Sequence, residues 1–275
     1  MAYATFLTHV QTDAEGRARL GFARRLAERF GAALLGVGAQ MVPPLAAGAS
    51  TAFVQADWYA AVSASVEEDL KAAESAFWAA VTDLPKGGLW AHGMDFPGRA
   101  VANASRGADL IIASPSTRGH HDAYRDAPAS ELLISSGRPI LIVPTALSDL
   151  KAERVVLAWK DSREARRALS DSLPIMQAAK SVTVVEVCRE ADKTDATART
   201  KDVAHALGRH GVTASSVVSV GHGDDALQLI SETRALNADL IIAGGYGHSR
   251  LGEWVFGGVT DTLLWQNDLC VLLSH

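Results

Sequence analysis

The sequence predicts two tandem α/β domains, each a doubly wound parallel sheet of five strands. Three observations carry this. The hexapeptide Ala108-Asp109-Leu110-Ile111-Ile112-Ala113 returns unchanged as Ala238-Asp239-Leu240-Ile241-Ile242-Ala243. From that anchor the two halves pair downstream without gaps: Ser130 meets Thr260, Leu133 meets Leu263, and the apolar run at 140–143 meets the run at 270–273. Strand and helix patterns alternate through both halves, and runs such as Leu110-Ile111-Ile112-Ala113 are continuously apolar, as strands covered on both faces are. A repeat this long marks duplicated domains, not a solenoid of short units.

In the first copy, strands are expected at 3–10, 32–39, 88–93, 109–114 and 140–143, where apolar and β-branched residues gather. Helical patterns fall between them at 15–30, 62–83, 97–106 and 127–137. In the second copy, strands are expected at 154–160, 181–188, 214–220, 239–244 and 270–273, and helices at 162–179, 196–210, 224–236 and 257–266. Parallel strands need crossover connections, and these helices supply them. The stretch 41–61, with Pro43-Pro44 and many small residues, reads as a surface loop. A polar linker near 144–153 separates the copies, which places the domains at 1–146 and 151–275.

A chain of 275 residues, 48% hydrophobic and 21% charged, has the composition of an ordinary globular protein. Its 26 basic and 31 acidic residues give a net charge of −5, which disfavours electrostatic capture of nucleic acid or anionic lipid. No apolar run reaches the roughly 18 residues that a membrane helix needs. The opening Met1-Ala2-Tyr3-Ala4-Thr5-Phe6 lacks a basic flank and a long apolar stretch, so a soluble cytoplasmic protein is expected. Cys188 and Cys270 sit inside apolar runs and read as reduced, buried residues.

The residues most suggestive of chemistry follow the fourth strand of the second copy. Gly244-Gly245-Tyr246-Gly247-His248-Ser249-Arg250 is followed by Gly257-Gly258-Val259-Thr260-Asp261, where a helical pattern opens. Ligands bind beyond the carboxyl ends of strands in open α/β sheets. Glycines let backbone amides approach a phosphate, and a helix start offers unpaired N–H groups. Thr260 either adds a hydroxyl to a phosphate or caps the helix. The same glycines also serve tight turns and close helix–sheet packing.

With its Gly244-x2-Gly247-x9-Gly257 spacing, the sequence resembles the universal stress protein (UspA) family in its tandem form. Ala158-Trp159-Lys160-Asp161-Ser162-Arg163-Glu164-Ala165 is similar to one bacterial branch of it. The resemblance implies a Rossmann-like fold of the adenine nucleotide alpha hydrolase kind and an adenine-nucleotide pocket, for ATP with or without Mg²⁺. It also implies domains paired through their fifth strands, here near Ile140 and Val271, which a tandem chain makes within itself as an intramolecular pseudo-dimer; further homodimerisation is left open. On this resemblance Ala158 and Lys160 end the first strand beside the nucleoside, and Val187 faces adenine. Ala243 and Gly244 line the ribose. Gly247, His248 and Ser249 surround the phosphates, and Gly257, Gly258 and Val259 form the helix start that cradles them. Two residues depart from the pattern. Lys160 stands where the family usually has Asp and accepts no hydrogen bond, though it can reach phosphate as a point charge. Gly258 stands where Ser or Thr is usual.

In the first copy the gapless pairing sets Ser114, Thr117 and Ala127 against the three motif glycines, and Pro128 against Gly258. Side chains obstruct the approach of a phosphate there, and Pro128 has no N–H to donate. Pairing 5–9 with 155–159 also puts Val10 at the position of Lys160. Nucleotide is therefore expected in the second domain only.

Other constellations read more plainly. Gly221-His222-Gly223-Asp224 lies after the third strand, where Asp224 is expected as a helix cap. His120-His121 has no spaced partner for a metal. His248 either donates to phosphate or lies on the surface. No P-loop, nucleophile elbow or catalytic triad is present. The expected function is stress response and regulation through a bound adenine nucleotide. The alternatives are an interaction module without nucleotide, acting on an unidentified protein partner, and an enzyme, either a weak ATP hydrolase or a small-molecule enzyme using His248 or Lys160.

Overall fold

The computed structural model describes residues 2–44, 52–116, 122–221, 223–246 and 258–275. Two compact units divide the chain, one of Tyr3–Ser136 and one that holds Gly137–His275.

In the first unit, β1 (Thr5–His9), β2 (Ala33–Ala39), β3 (Gly88–Gly93) and β4 (Leu110–Ala113) lie parallel in the order β3-β2-β1-β4. Helices α1 (Ala14–Phe30), α2 (Ala52–Val81), α3 (Pro97–Ala104) and α4 (Ala129–Ser135) make the connections. Asp13 caps α1 by accepting the Gly16 N–H at 2.7 Å, and Gly31 ends it at φ 61°, a conformation that costs glycine little. Phe6, Phe22 and Phe77 are fully buried in the core.

In the second unit, β5 (Ile140–Ile142), β6 (Arg154–Ala158), β7 (Ser181–Cys188), β8 (Ala214–Val220), β9 (Leu240–Gly244) and β10 (Cys270–Ser274) run in the order β5-β10-β9-β6-β7-β8. All neighbours are parallel except β5 and β10. Val271, Leu272 and Leu273 stand antiparallel to Ile142, Leu141 and Ile140, the strand pairing that the resemblance implied. That pairing draws β5 into the second compact unit. The connections are α5 (Arg163–Asp171), α6 (Leu173–Ala178), α7 (Lys193–Arg209), α8 (Asp225–Ala235) and α9 (Gly258–Leu264).

The repeated hexapeptide has a structural reason in both units. Asp109 accepts the N–H groups of Ala4 and Thr5, at 2.7 and 3.0 Å, where β1 begins. Asp239 accepts those of Glu153 and Arg154, both at 3.1 Å, where β6 begins. The carboxylate satisfies strand-end donors that no ladder reaches, and the apolar residues after it fill the middle of the sheet.

Every expected strand forms within two residues of its predicted bounds. Two helices differ. The α2 helix starts at Ala52, inside the stretch read as a loop, because 52–61 is rich in alanine and needs no amphipathic pattern to be helical. The helix expected over 162–179 is broken at Ser172. Pro174 has no N–H for a continuous helix, and Ser172 Oγ bonds back to the Ala168 carbonyl at 2.5 Å. No described helix is long and apolar enough to cross a membrane. Both cysteines are free thiols; Cys270 is buried and Cys188 half-buried.

Candidate functional site

The carboxyl ends of β6, β7 and β9 bring the sequence-predicted residues together. Ala158 stands in register with Ala243 on one side and Val185 on the other. Val187, two residues along β7, shares their face. Ala243 is buried, and Ala158 and Val187 are half-buried. At the ends of these three strands the side chains on this face are no larger than valine, with Leu273 of β10 beside Ala243. Helices α5 and α7 cover the opposite face, where Arg199 of α7 pairs with the buried Glu186 at 2.6 Å. Lys160 lies just beyond β6 and is exposed.

Gly244 is glycine for a packing reason. A methyl group there would stand 2.6 Å from the Ala165 nitrogen and 2.9 Å from Glu164 Cβ, so the strand end and α5 approach as closely as backbones allow. Ser162 caps α5 by accepting the Ala165 N–H at 3.3 Å. Glu164, in the first turn, is buried, with its carboxylate 3.3 Å from Arg163 Nε.

Sequence reasoning missed three residues at this end of the sheet. Tyr246 has φ 51°, in the left-handed region, and its N–H donates to Thr260 Oγ1 at 3.2 Å. Thr260 is buried, and its hydroxyl ties the residue after Gly245 to α9. Burial and the nearby Asp261 push the Tyr246 phenol up to about 12, so it stays protonated. His275 reaches the preceding residue, with Nδ1 3.1 Å from the Gly245 carbonyl, and its ring stands edge-on to that of Tyr246. Asp225 is the third. A methyl on Gly221 would stand 2.8 Å from Asp225 Oδ1 and 3.1 Å from Val187 Cγ1, so the carboxylate borders Val187. A glycine at the end of β8 was the available signal for Asp225; Tyr246 and His275 carried none. Asp224 caps α8 as expected, accepting the Ala226 and Leu227 N–H groups at 2.9 and 3.2 Å.

Gly258 and Val259 open α9, Gly258 exposed and with no described atom within 4 Å of where a side chain would begin. Gly247, His248, Ser249 and Gly257 lie outside the described residues, as do Thr117, His120, His121 and His222. Among the described residues no group of three or more His, Cys, Asp or Glu could hold a metal ion.

The first unit fills the matching place with its own side chains. Phe6 pairs with Leu110 as Val155 pairs with Leu240. Val10 donates to the Val37 carbonyl as Trp159 does to Val185. The structure therefore matches His9 to Ala158, Val10 to Trp159 and Gln11 to Lys160, one residue away from the pairing drawn from sequence. Gly36, beside Thr8 in the ladder, faces Phe77 of α2. His9 therefore points to the other face, where Ala158 points in the second unit. Its Nε2 lies 3.0 Å from the carbonyl of Ala39, the counterpart of Val187. His9 is 5% exposed. Burial, with Arg19 adding to it, pushes its pKa down to about 3, so the ring is neutral and Nε2 carries the proton.

Arg19, from α1, closes the mouth between β1 and β4. Its guanidinium donates to the His9 carbonyl at 3.0 and 3.2 Å, to Gln11 Oε1 at 2.9 Å and to Ser114 Oγ at 2.6 Å. Burial lowers its pKa, and Glu15, Asp13 and Asp126 oppose that. Pro128 caps α4 with no side-chain bond.

No family model and no curated protein matches the sequence. Solved structures do. A universal stress protein from Archaeoglobus fulgidus DSM 4304 matches at TM-score 0.70 and 15% identity, covering 98% of this chain and 97% of that one. The chain has the fold of a universal stress protein. A functionally unknown protein from Pseudomonas aeruginosa PAO1 also matches, at TM-score 0.58 and 15% identity, over 99% of this chain and 92% of that one. The universal stress protein likeness thus spans both copies of the repeat, the one with the glycine motif and the one without it.

Proposed function

We propose that the chain is a universal stress protein of the tandem kind, in which the second copy, 151–275, binds an adenine nucleotide and the first, 1–146, does not. ATP with Mg²⁺ is the assigned ligand, and a regulatory role in stress the assigned purpose. The observation that carries this reading is the contrast between the two sets of strand ends. At the ends of β6, β7 and β9 the second unit presents Ala158, Val187 and Ala243 on the face where the first unit places the His9 ring. Small apolar side chains leave room for a base and ribose, and the Asp225 carboxylate beside Val187 supplies an acceptor for a hydroxyl or amine. Exposed Lys160 supplies a charge for phosphate. Gly244 is assigned with Ala243 to the ribose, and Gly247 and Gly257 with His248, Ser249, Gly258, Val259 and Thr260 to the phosphates. Phosphate oxygens and water complete the shell of Mg²⁺, which needs no dedicated protein cage.

The test is to denature the purified chain, identify any nucleotide released, and titrate the stripped protein with ATP and Mg²⁺ by calorimetry. One site per chain is expected, lost in Gly247→Val and kept in Thr117→Val. No heat up to millimolar ATP overturns the reading and leaves a module that acts by binding a partner.

A further inference from the structure

We propose that His9 is a built-in ligand: its imidazole occupies, at the carboxyl ends of β1 and β2, the place that a nucleobase takes in the second unit, so that cutting it back opens a site for a free imidazole. The inference rests on the nucleotide reading of the second unit only for the name of what is replaced. Its geometry is that of the first unit alone.

Three features support it. His9 is the counterpart of Ala158, so the imidazole stands where the second unit has a methyl group. The ring does not simply pack; it reaches from β1 to the end of β2 and donates to the Ala39 carbonyl. An imidazole is the five-membered half of a purine, flat and carrying one N–H, and a strand-end carbonyl is what such an N–H seeks when both are buried. The third feature is closure. Arg19 and Ser114 seal the His9 carbonyl on the α1 side. The segment carrying Tyr124 and Arg125 ties down both Met41 and Gln11, the Met41 N–H donating to the Tyr124 carbonyl at 2.8 Å and Gln11 Nε2 to the Arg125 carbonyl at 2.9 Å. A ring held in so closed a place leaves, on truncation, a cavity of its own shape with an acceptor in its wall. Such cavities take up the missing group.

The test uses the full chain carrying His9→Gly, with His9→Ala beside it, at a pH where imidazole is neutral. Thermal unfolding is followed by far-UV circular dichroism with and without imidazole, and ATP is left out. Both variants are expected to melt below wild type. About 50 mM imidazole is expected to return half or more of the lost melting temperature, saturably, as a ligand of the folded state does. Ethanol at the same concentration is expected to return none of it. If either variant is unfolded in buffer, imidazole is expected to restore the folded spectrum. Imidazole that shifts both variants no more than it shifts wild type, or that fails to restore an unfolded one, overturns the proposal. Because nucleotide is absent, this outcome is separate from the ATP titration of wild type, which alone decides the reading of the second unit.

Discussion

Acid should destabilise this chain through His9, and the size of the effect follows from its burial. The folded state holds the ring neutral, with a pKa of about 3 against 6.5 when unfolded. Burial is the main cause; the Arg19 cation lowers the value further, while the Ala39 carbonyl and Asp13 raise it. Below the unfolded value, protons bind the unfolded chain first, so stability falls as pH drops through 6.5 toward 3. At about pH 5 the unfolded ring is roughly 30-fold more protonated than neutral while the folded one stays neutral, a loss of about 2 kcal/mol relative to neutral pH. That corresponds to a fall in melting temperature of about 4–8 °C. The assay is urea or thermal unfolding of wild type and His9→Gln at both pH values. The remaining histidines and the carboxylates are common to both proteins, so the difference between them isolates His9. His9→Gln is expected to lose less stability than wild type by about 2 kcal/mol on acidification. Equal losses would refute the assignment of a buried, neutral ring.

Two further outcomes separate packing from binding at the second unit's strand ends. Gly244→Ala is expected to cost about 1–3 kcal/mol in urea unfolding, because its methyl meets the backbone of α5 and has nowhere to go. Gly258→Ser meets no described atom within 4 Å, so it is expected to change stability by less than about 0.5 kcal/mol. It is also expected to tighten ATP in calorimetry by restoring a hydroxyl at the helix start, and an unchanged affinity would remove Gly258 from the site.

The strands were legible because each is a short apolar run between polar turns, and the repeated Ala-Asp-Leu-Ile-Ile-Ala fixed where the halves correspond. The start of α2 was not, since 52–61 lacks the periodic pattern that marks a helix with one buried face, and Pro43-Pro44 argued for a loop. The β1 pairing slipped by one residue because Thr5–His9 and 155–159 resemble each other only loosely; hydrogen-bond register decides what similarity left open. In the second unit, Ala158, Val187 and Ala243 could be placed because strand ends follow from strand bounds. His9 and Arg19 could not. The contacts of Arg19 join residues 95 apart in the chain, Arg19 and Ser114, and no local pattern announces a guanidinium turned inward.

That pair shows how closed strand ends are satisfied from within the protein. Strand ends in such a sheet leave carbonyls beyond the ladder, and an open site lets ligand or water satisfy them. Once the place is closed, the same carbonyls need donors from the protein. In the first unit Arg19 donates to the His9 carbonyl and the His9 ring donates to that of Ala39, so two adjacent strand ends are satisfied in sequence. A small apolar residue in place of His9 would leave the Ala39 carbonyl buried without its donor, at about 1–3 kcal/mol. Loss of the glycines alone therefore does not account for the first unit. The imidazole and the guanidinium supply donors that the glycine pattern says nothing about, and they hold this end of the sheet together from within the protein.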